Sequence, residues 1–236
     1  MPSPRMPPVA LLAGGLATRL YPLTKRVPKA LLEVANEPFI AHQLRLLHRE
    51  GIRRAVLCLG FLGEMVRDVV RNGEQFGLDV GYSFDGDKLL GTGGALKQAL
   101  PFLGEEFFVL YGDSYLDIAY EPLFEAFHAS GEPAVMTVFR NEGHWDTSNV
   151  LFDGTHVVRY DKRNPSNDMH YIDYGLGLFT RDVIAKWPEE AFDLAQVYAE
   201  LAEQGRLAGY EVSTRFYEIG TPEGLAETDA RLRGSK

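Results

Sequence analysis

Residues 9–20 read Val-Ala-Leu-Leu-Ala-Gly-Gly-Leu-Ala-Thr-Arg-Leu, an apolar run that breaks at a pair of glycines. The uninterrupted apolar segment 9–12 predicts a strand that is buried on both faces, which is typical of a parallel sheet. Gly14 and Gly15 predict a loop in which the backbone comes close to a ligand and directs its amide hydrogens towards an anion. Open α/β sheets bind their ligands at the carboxyl ends of the strands, and this loop follows such an end.

Strand-like and helix-like segments alternate along the first half of the chain. Short apolar runs predict strands, and longer segments with apolar residues three or four apart predict helices. The predicted strands are 9–12, 54–59, 79–84 and 107–111, and the predicted helices are 38–49, 63–71 and 92–100. This rhythm predicts a mainly parallel sheet with right-handed crossovers and with helices on both faces.

The second half follows a different pattern. Segments 149–152 and 157–160 flank an Asp-Gly dipeptide, which predicts a hairpin. Asp193 is predicted to cap one helix, and Pro222 is predicted to open the last one. Because no repeat, low-complexity stretch or clear linker divides the chain, its 236 residues are expected to form one domain.

The acidic balance of the chain excludes two classes of partner. The formal net charge is -9, whereas nucleic acids and anionic membranes bind to basic surfaces. No Asp or Glu precedes Glu33, yet the same stretch carries Arg19, Lys25, Arg26 and Lys29. Either these cations hold a small anionic ligand, or they form a solvated basic face.

Cysteine use and the length of the apolar runs both favour the cytoplasm. The single cysteine, Cys58, cannot form an internal disulfide, which fits a reducing compartment. It lies within an apolar run, so we interpret it as a core residue and not as a nucleophile. No apolar run approaches the roughly 20 residues that a transmembrane helix needs. We therefore expect a cytoplasmic protein that has no membrane partner.

The cations of the first loop match the chemistry of phosphate binding. Arg19 is able to hold two phosphate oxygens at once, and Lys29 adds a point charge farther along the loop. The spacing is not that of the P-loop, which needs Gly-Lys-Ser/Thr, nor that of the dinucleotide motif Gly-x-Gly-x-x-Gly. From the residues alone, a glycine-rich turn with surface cations stays an alternative.

Two further segments carry groups suited to a ligand. Asp113 follows the strand 107–111, where its carboxylate either binds a hard cation or forms a turn. Gly91 and Thr92 open the helix 92–100, where they either present a helix N-terminus to a ligand or merely cap the helix. Asp113 is predicted at the same sheet edge as the first loop.

Taken together, these motifs resemble those of one enzyme family. Residues 12–20, with Pro-Leu-Thr at 22–24 and Pro-Lys at 28–29, are similar to the signature of the sugar-1-phosphate nucleotidyltransferases, or nucleoside-diphosphate-sugar pyrophosphorylases. The resemblance implies a Rossmann-like, mixed and mainly parallel sheet with a smaller sugar-binding lobe. Residues 1–118 would be the nucleotide-binding half, and residues 119–236 the sugar-binding half and C-terminal helix.

The resemblance also implies an activity and roles for individual residues. Such an enzyme uses Mg2+, transfers a nucleoside monophosphate from a nucleoside triphosphate to a sugar 1-phosphate, and releases pyrophosphate. Arg19 is expected to hold the leaving pyrophosphate, Lys29 to contact the reacting phosphates, and Asp113 to bind the metal together with Glu218. The other expected contacts are to the nucleotide through Ala13, Gly14, Gly15, Asp85, Gly86, Gly91 and Thr92, and to the sugar phosphate through Asp161, Lys162, Asp173 and Gly175.

Two positions depart from the family pattern. Ala17 stands where the family usually has glycine, and alanine adopts a positive φ poorly. Glu218 stands where the family usually has aspartate, and its extra methylene moves the carboxylate oxygens by about a bond length. We therefore expect a slightly altered loop at Ala17 and a changed metal geometry at Glu218.

Within that family, the compact chain resembles the bacterial heptose-1-phosphate guanylyltransferases and the short uridylyltransferases, with no prediction of nucleobase, sugar or oligomeric state. One alternative is a choline-phosphate cytidylyltransferase of the same fold, which needs an aromatic cage for a quaternary ammonium. The candidate cage residues are Trp145, Tyr160, Tyr171 and Tyr174. Another alternative is a non-catalytic regulatory subunit that binds a sugar nucleotide, which the two departures favour.

Overall fold

The computed structural model describes residues 6–141 and 143–234 of the chain. The strands are β1 (Val9–Leu12), β2 (Glu33–Val34), β3 (Glu37–Pro38), β4 (Arg54–Leu59), β5 (Asp79–Phe84), β6 (Glu106–Tyr111), β7 (Ser114–Tyr115), β8 (Ala134–Arg140), β9 (Val150–Phe152), β10 (Val157–Tyr160), β11 (Tyr171–Thr180), β12 (Leu207–Val212) and β13 (Tyr217–Glu218). The helices are α1 (Phe39–Arg49), α2 (Gly63–Val70), α3 (Gly91–Ala99), α4 (Glu121–Ser130), α5 (Arg181–Ala185), α6 (Leu194–Glu203) and α7 (Pro222–Arg233). None of the described helices has the length and apolar character that a membrane span requires.

Nine strands of the described chain form a single sheet that contains both halves. Its order is β10-β9-β11-β6-β1-β4-β5, and β8 pairs with both β11 and β12. Strands β1, β4, β5 and β6 pair in parallel, as do β8 and β12. Strands β10 and β11 run against the others. The prediction of a Rossmann-like, mixed and mainly parallel sheet is therefore confirmed.

Helices cover both faces of this sheet, as the alternating pattern predicts. Helices α1, α2 and α4 contribute side chains such as Leu44 and Phe124 to the core on one face. Helices α3, α5 and α6 contribute side chains such as Leu96 and Val197 to the core on the other face. Alternate residues of β1 enter one core or the other, which explains why this strand is apolar throughout. Each such buried side chain contributes about 1.5–3 kcal/mol to the free energy of unfolding.

Strand β11 joins the two halves of the chain. It pairs with β6 and with β8, and its register with β8 shifts between Asp173 and Gly177. Gly175 lies in this bulge at φ 99°. A Cβ atom there would lie 3.2 Å from both Tyr111 Cδ2 and Ser114 Oγ, so the bulge packs tightly against the end of β6. The bulge thereby brings residues of the second half to the edge where the first loop lies.

Two short strand pairs lie outside the main sheet. Strand β2 pairs with β3, and β7 pairs with β13. In the second pair, Ser114 lies opposite Glu218, which brings that glutamate next to Asp113. The short helix α5 also lies outside the elements that the sequence pattern predicts.

Candidate active site

A pocket of about 250 Å³ lies at the carboxyl ends of the parallel strands β1, β4, β5 and β6. Its apolar wall includes Leu12, Ala30, Leu89 and Ala95. Among the residues predicted to bind the nucleotide, Gly86 is not part of its lining. The others all line it: Ala13, Gly14, Gly15, Asp85, Gly91 and Thr92.

The charged residues of the first loop and of β6 meet beside this pocket. Lys29 Nζ lies 2.7 Å from Asp113 Oδ2, and both residues line the pocket. A Cβ atom added to Gly220 would lie 3.2 Å from Arg19 Nη2 and 3.4 Å from Asp113 Oδ2. Arg19, Lys29 and Asp113 therefore surround a common cleft, although Arg19 comes from an exposed part of the loop.

The two glycines of the first loop meet different steric demands. A Cβ atom on Gly14 would lie 2.9 Å from the backbone nitrogen of Gly60, so only glycine lets the loop pass against the end of β4. A Cβ atom on Gly15 would meet no described atom within 4 Å. The backbone at Gly15 is therefore open to a ligand, as the phosphate-binding prediction requires.

Ala17 adopts the left-handed backbone conformation, with φ 50° and ψ 45°. Its carbonyl oxygen accepts a hydrogen bond of 2.8 Å from the buried Thr24 Oγ1. The left-handed conformation costs a non-glycine residue about 1–2 kcal/mol. Alanine at position 17 therefore strains the loop, and the surrounding contacts stabilise the strained conformation.

The Glu218 carboxylate faces its own loop and Asp113 at the same time. It accepts hydrogen bonds from the Gly220 backbone N–H and, at 3.2 Å, from Thr221 Oγ1. Burial raises the pKa of Glu218, and the negative charge of Asp113 raises it further. A Cβ atom at Gly220 would contact an oxygen of both carboxylates, so the absence of a side chain leaves space between them.

This acidic pair fits a hard cation that takes most of its ligands from elsewhere. A cation between Asp113 and Glu218 would relieve their repulsion, and Mg2+ is commonly held by one or two carboxylates with substrate phosphates and water. No group of three or more His, Cys, Asp or Glu side chains in the described ranges forms a closed metal site. The donor set therefore suits a metal that arrives with a phosphate ligand.

The glycine-rich stretch 91–94, at the start of α3, forms hydrogen bonds mainly with the protein itself. The backbone N–H groups of Gly93 and Gly94 donate to Phe192 O at 3.0 and 3.2 Å. Thr92 Oγ1 donates to Asp193 Oδ1 at 2.9 Å. These bonds tie the start of α3 to the segment before α6, and Thr92 still lines the pocket.

Asp85 and Cys58 form a polar part of the pocket wall. Asp85 Oδ2 accepts a hydrogen bond of 3.3 Å from the Leu90 N–H, and burial raises the pKa of this carboxyl. Cys58 is buried, which raises its pKa to about 12, and the charge of Asp85 adds to the effect. The thiol therefore stays protonated at neutral pH and packs as a core side chain.

Three of the four residues predicted to bind the sugar phosphate, Lys162, Asp173 and Gly175, lie near Tyr111, which lines the pocket. Asp161 lines a second cavity together with Lys162. Lys162 Nζ is 5.1 Å from the centre of that ring and 3.4 Å from Asp173 Oδ2. Asp161 Oδ1 accepts two backbone N–H groups of its own turn, at 2.9 and 2.8 Å. These bonds hold the pKa of Asp161 below its ordinary value. The same bonds fix the turn next to Lys162.

Gln43 is a buried polar residue of the site that the motifs do not reveal. It lies on α1, and its Nε2 donates to Tyr111 O at 3.2 Å and to Ser114 O at 2.8 Å. These two carbonyls flank the Gly112-Asp113 turn, so the amide fixes the backbone that carries Asp113. A glutamine on the apolar face of a predicted helix is the signal that could have found it.

The four aromatic residues considered for a quaternary ammonium do not converge. Tyr174 belongs to the core on one face of the sheet, whereas Tyr160 and Tyr171 pack on the other face. Trp145 stacks on Arg215, whose Cζ lies 3.6 Å from the centre of the ring. The prediction of an aromatic cage from these four residues is therefore wrong, because the sheet separates Tyr174 from Tyr160 and Tyr171.

The chain is similar to known proteins over most of its length. The family model described as nucleotidyl transferase matches residues 9–233. An N-acetylmuramate alpha-1-phosphate uridylyltransferase of Caulobacter vibrioides is 30% identical over 237 residues, which cover 96% of this chain and 97% of that protein. A D-glycero-alpha-D-manno-heptose 1-phosphate guanylyltransferase of Campylobacter jejuni is 27% identical over 90% of this chain and 94% of that protein.

Longer relatives and solved structures share the same fold region. The chain spans 61% of the mannose-1-phosphate guanylyltransferase catalytic subunit beta of Danio rerio, with 27% identity over 90% of its own length. The crystal structure of HddC from Yersinia pseudotuberculosis superimposes with a TM-score of 0.82 at 22% identity, covering 96% of this chain and 100% of that one, which shows the shared fold. The family match spans both halves, and the named relatives are sugar-1-phosphate enzymes. The chain therefore belongs to the nucleotidyl transferase family, as an enzyme of the sugar-1-phosphate nucleotidyltransferase class.

Proposed function

We propose that the cleft around Asp113 joins a nucleoside monophosphate, taken from a nucleoside triphosphate, to a sugar 1-phosphate and releases pyrophosphate. The observation that carries this proposal is the contact of 2.7 Å between Lys29 and Asp113, with Arg19 on the same cleft. Cations, a carboxylate and open backbone amides then surround the position of the triphosphate.

The positions of the site residues support a division of labour between the two halves. Every residue that lines the pocket falls within residues 1–118, which supports nucleotide binding by that half. Lys162 and Asp173 belong to residues 119–236 and contact Tyr111, which lines the pocket. The sugar phosphate would thus enter from the side of Lys162. A triphosphate substrate and a single buried thiol both favour a cytoplasmic location.

The reaction needs no covalent enzyme intermediate. An oxygen of the sugar phosphate attacks the α-phosphorus in line, and the bond from that phosphorus to the bridging oxygen of pyrophosphate breaks. Catalysis then rests on placement and charge neutralisation. Lys29 contacts the reacting phosphates, Arg19 stabilises the charge on the departing pyrophosphate, and Lys162 holds the sugar phosphate in line.

Asp113 and Glu218 are the residues that would hold Mg2+. When bound, the ion neutralises phosphate charge and orients the attack. Asp113 also pairs with Lys29, so the same carboxylate would both align the lysine and bind the metal. Glu218 has a raised pKa and two hydrogen bonds to its own loop, so it is the weaker of the two ligands.

A substrate panel tests the activity directly. The protein is incubated with Mg2+, each nucleoside triphosphate in turn, and the 1-phosphates of N-acetylmuramate, manno-heptose, mannose and glucose, and pyrophosphate release is measured. We expect turnover with one base and a narrow set of sugars. Binding of a triphosphate without pyrophosphate release from any pair would contradict the proposal and favour the regulatory-subunit alternative.

Replacing Lys29 by Ala tests the central contact. We expect turnover to fall by a factor of about 100 or more, because the variant loses a charged contact to the reacting phosphates. The fold should survive, since Lys29 lies at the edge of the cleft with 20% of its side chain exposed. Lys186→Ala, which removes a surface lysine paired with Asp182, is the matched control and should leave turnover unchanged. Near-normal turnover of the Lys29 variant would reject its role.

A further inference from the structure

The Asp173 carboxylate is buried at the border between the two halves. Only 3% of its side chain is exposed, on a strand that bulges next to it. Its backbone N–H donates to Asn149 Oδ1 at 3.1 Å, which fixes the strand at this point. The family resemblance treats this position as a contact to the sugar phosphate, but its surroundings in this chain indicate another role.

Four donors from the protein already surround this carboxylate. Oδ2 accepts from Tyr160 Oη at 3.0 Å and from Tyr111 Oη at 3.4 Å, and Lys162 Nζ lies 3.4 Å from the same oxygen. Oδ1 accepts from the Gly175 N–H at 3.0 Å. Each carboxylate oxygen offers about two acceptor positions, so the three donors at Oδ2 fill that oxygen, whereas Oδ1 keeps a second position. Because only 3% of the side chain is exposed, burial closes that remaining position to a substrate hydroxyl.

Of the four donors to this carboxylate, Lys162 is the one that carries a positive charge able to bind a phosphate. Its side chain is 42% exposed, and its ammonium lies 5.1 Å from the Tyr111 ring centre and 5.6 Å from the Tyr160 ring centre. Two ring faces and one buried carboxylate thus fix the position of a long, flexible cation. Tyr111 also lines the nucleotide pocket, so the cation is held at the border of that pocket.

We propose that Asp173 is a positioning residue: it holds the Lys162 ammonium at the border of the nucleotide pocket and makes no contact with the sugar phosphate. The inference rests on the role of Lys162 in the proposed function. Without Asp173, the lysine keeps its charge but loses its fixed place, so the sugar phosphate binds more weakly and in poorer alignment. The lining of the pocket proposed for the nucleotide includes neither Asp173 nor Lys162, so triphosphate binding should not change.

A double-mutant cycle tests this inference. Asp173→Asn, Lys162→Met and the double variant are assayed for pyrophosphate release with the best pair from the substrate panel, and triphosphate binding is measured by calorimetry. We expect each single variant to raise the KM for the sugar 1-phosphate about tenfold or more, with unchanged triphosphate affinity. The double variant should be no worse than Lys162→Met alone, because Asp173 acts through the lysine.

Two outcomes would overturn the inference in distinguishable ways. If the effects of the two single variants multiply in the double variant, Asp173 contacts the substrate directly, while the role of Lys162 stands. If Lys162→Met leaves the KM unchanged, the proposed function loses its sugar-phosphate lysine, and the inference fails with it.

Tyr160→Phe repeats the cycle without changing a charge, in case Asp173→Asn does not fold. The variant keeps the ring beneath Lys162 and removes one donor to Asp173. We expect a smaller rise in the KM for the sugar 1-phosphate that disappears in the Lys162→Met background. A rise that persists in that background would overturn the inference.

Discussion

Ala17 shows how a single residue stores strain in the substrate loop. Its φ of 50° is a conformation that glycine adopts freely and alanine does not. The hydrogen bond from Thr24 to its carbonyl and the packing of Leu20 hold the loop in place nevertheless. Sequence comparison with the family motif predicts the position of this strain, because the family has glycine there.

Replacing Ala17 by Gly should relieve this strain. We expect the free energy of unfolding to rise by up to about 1 kcal/mol, because the gain in the folded loop exceeds the entropy that glycine adds to the unfolded chain. Urea unfolding measures the change. Ala226→Gly, at an exposed position of α7, is the matched control and should lose about 1 kcal/mol. Equal losses in the two variants would contradict the argument.

At the scale of the element, the start of α3 is shaped by its contact with the segment before α6. A Cβ atom on Gly93 would overlap the Phe192 ring, and one on Gly94 would overlap the Glu190 carbonyl oxygen. Gly93 and Gly94 therefore permit close packing of α3 against the segment before α6. From the sequence alone, a role of this helix start in ligand binding was also open. Thr92 and Asp193 complete the junction with their side-chain hydrogen bond.

Replacing Gly93 by Ala should disrupt this junction. We expect the free energy of unfolding to fall by about 2 kcal/mol or more, because the buried Phe192 ring must move. Phe192→Val should compensate in part, so the double variant should be more stable than the sum of the single changes predicts. Gly15→Ala, where a Cβ meets no described atom within 4 Å, should change stability by less than about 0.5 kcal/mol. Additive losses in the Gly93–Phe192 pair would contradict the steric argument.

At the scale of the whole molecule, the C-terminal helix fastens the second half onto the first. Asp229 on α7 accepts from the Ala35 N–H at 2.7 Å and from Arg233 Nε at 2.6 Å. A small core that includes Val34, Ile219 and Leu232 lies beneath these bonds. This attachment holds β13, and with it Glu218, against β7 and next to Asp113.

The Asp229 contact should make stability depend on pH in acid. The hydrogen bond from Arg233, and then that from the Ala35 N–H, lower the pKa of Asp229 below its ordinary value of 3.8. A carboxyl whose folded pKa is lowered stabilises the protein above pH 3.8, and this contribution is lost as the pH falls through the folded pKa. Asp229→Asn should therefore be less stable than the wild type at neutral pH, and the difference should shrink below pH 3.8.

Urea unfolding at a series of pH values measures this difference. Asp68→Asn, an exposed residue of α2, changes the net charge equally and is the matched control. A difference between wild type and Asp229→Asn that stays constant from neutral pH down to acid would contradict the assigned contact.

Much of the fold could be predicted from local sequence pattern. Segments 54–59 and 79–84 are observed as strands with the predicted bounds, because the apolar residues that indicate each strand lie within one short run of the sequence. The strand-end positions of the first loop and of Asp113 were predictable for the same reason, since parallel strands expose all their carboxyl ends at one edge. The pairing of β2 with β3 and that of β7 with β13 could not be predicted, because a strand of two residues carries no information about its partner.

The sequence pattern alone was enough to predict the alternating architecture, the glycine loop and the kinds of charged group in the site. Burial and turn chemistry act over a few neighbouring residues, so a local pattern reveals them. Folding in three dimensions was needed to bring Glu218 to Asp113, to tie Gly93 to Phe192, and to surround Asp173 with four donors. These contacts join residues far apart in the chain, and their geometry depends on strand register and packing, which no local pattern of residues encodes.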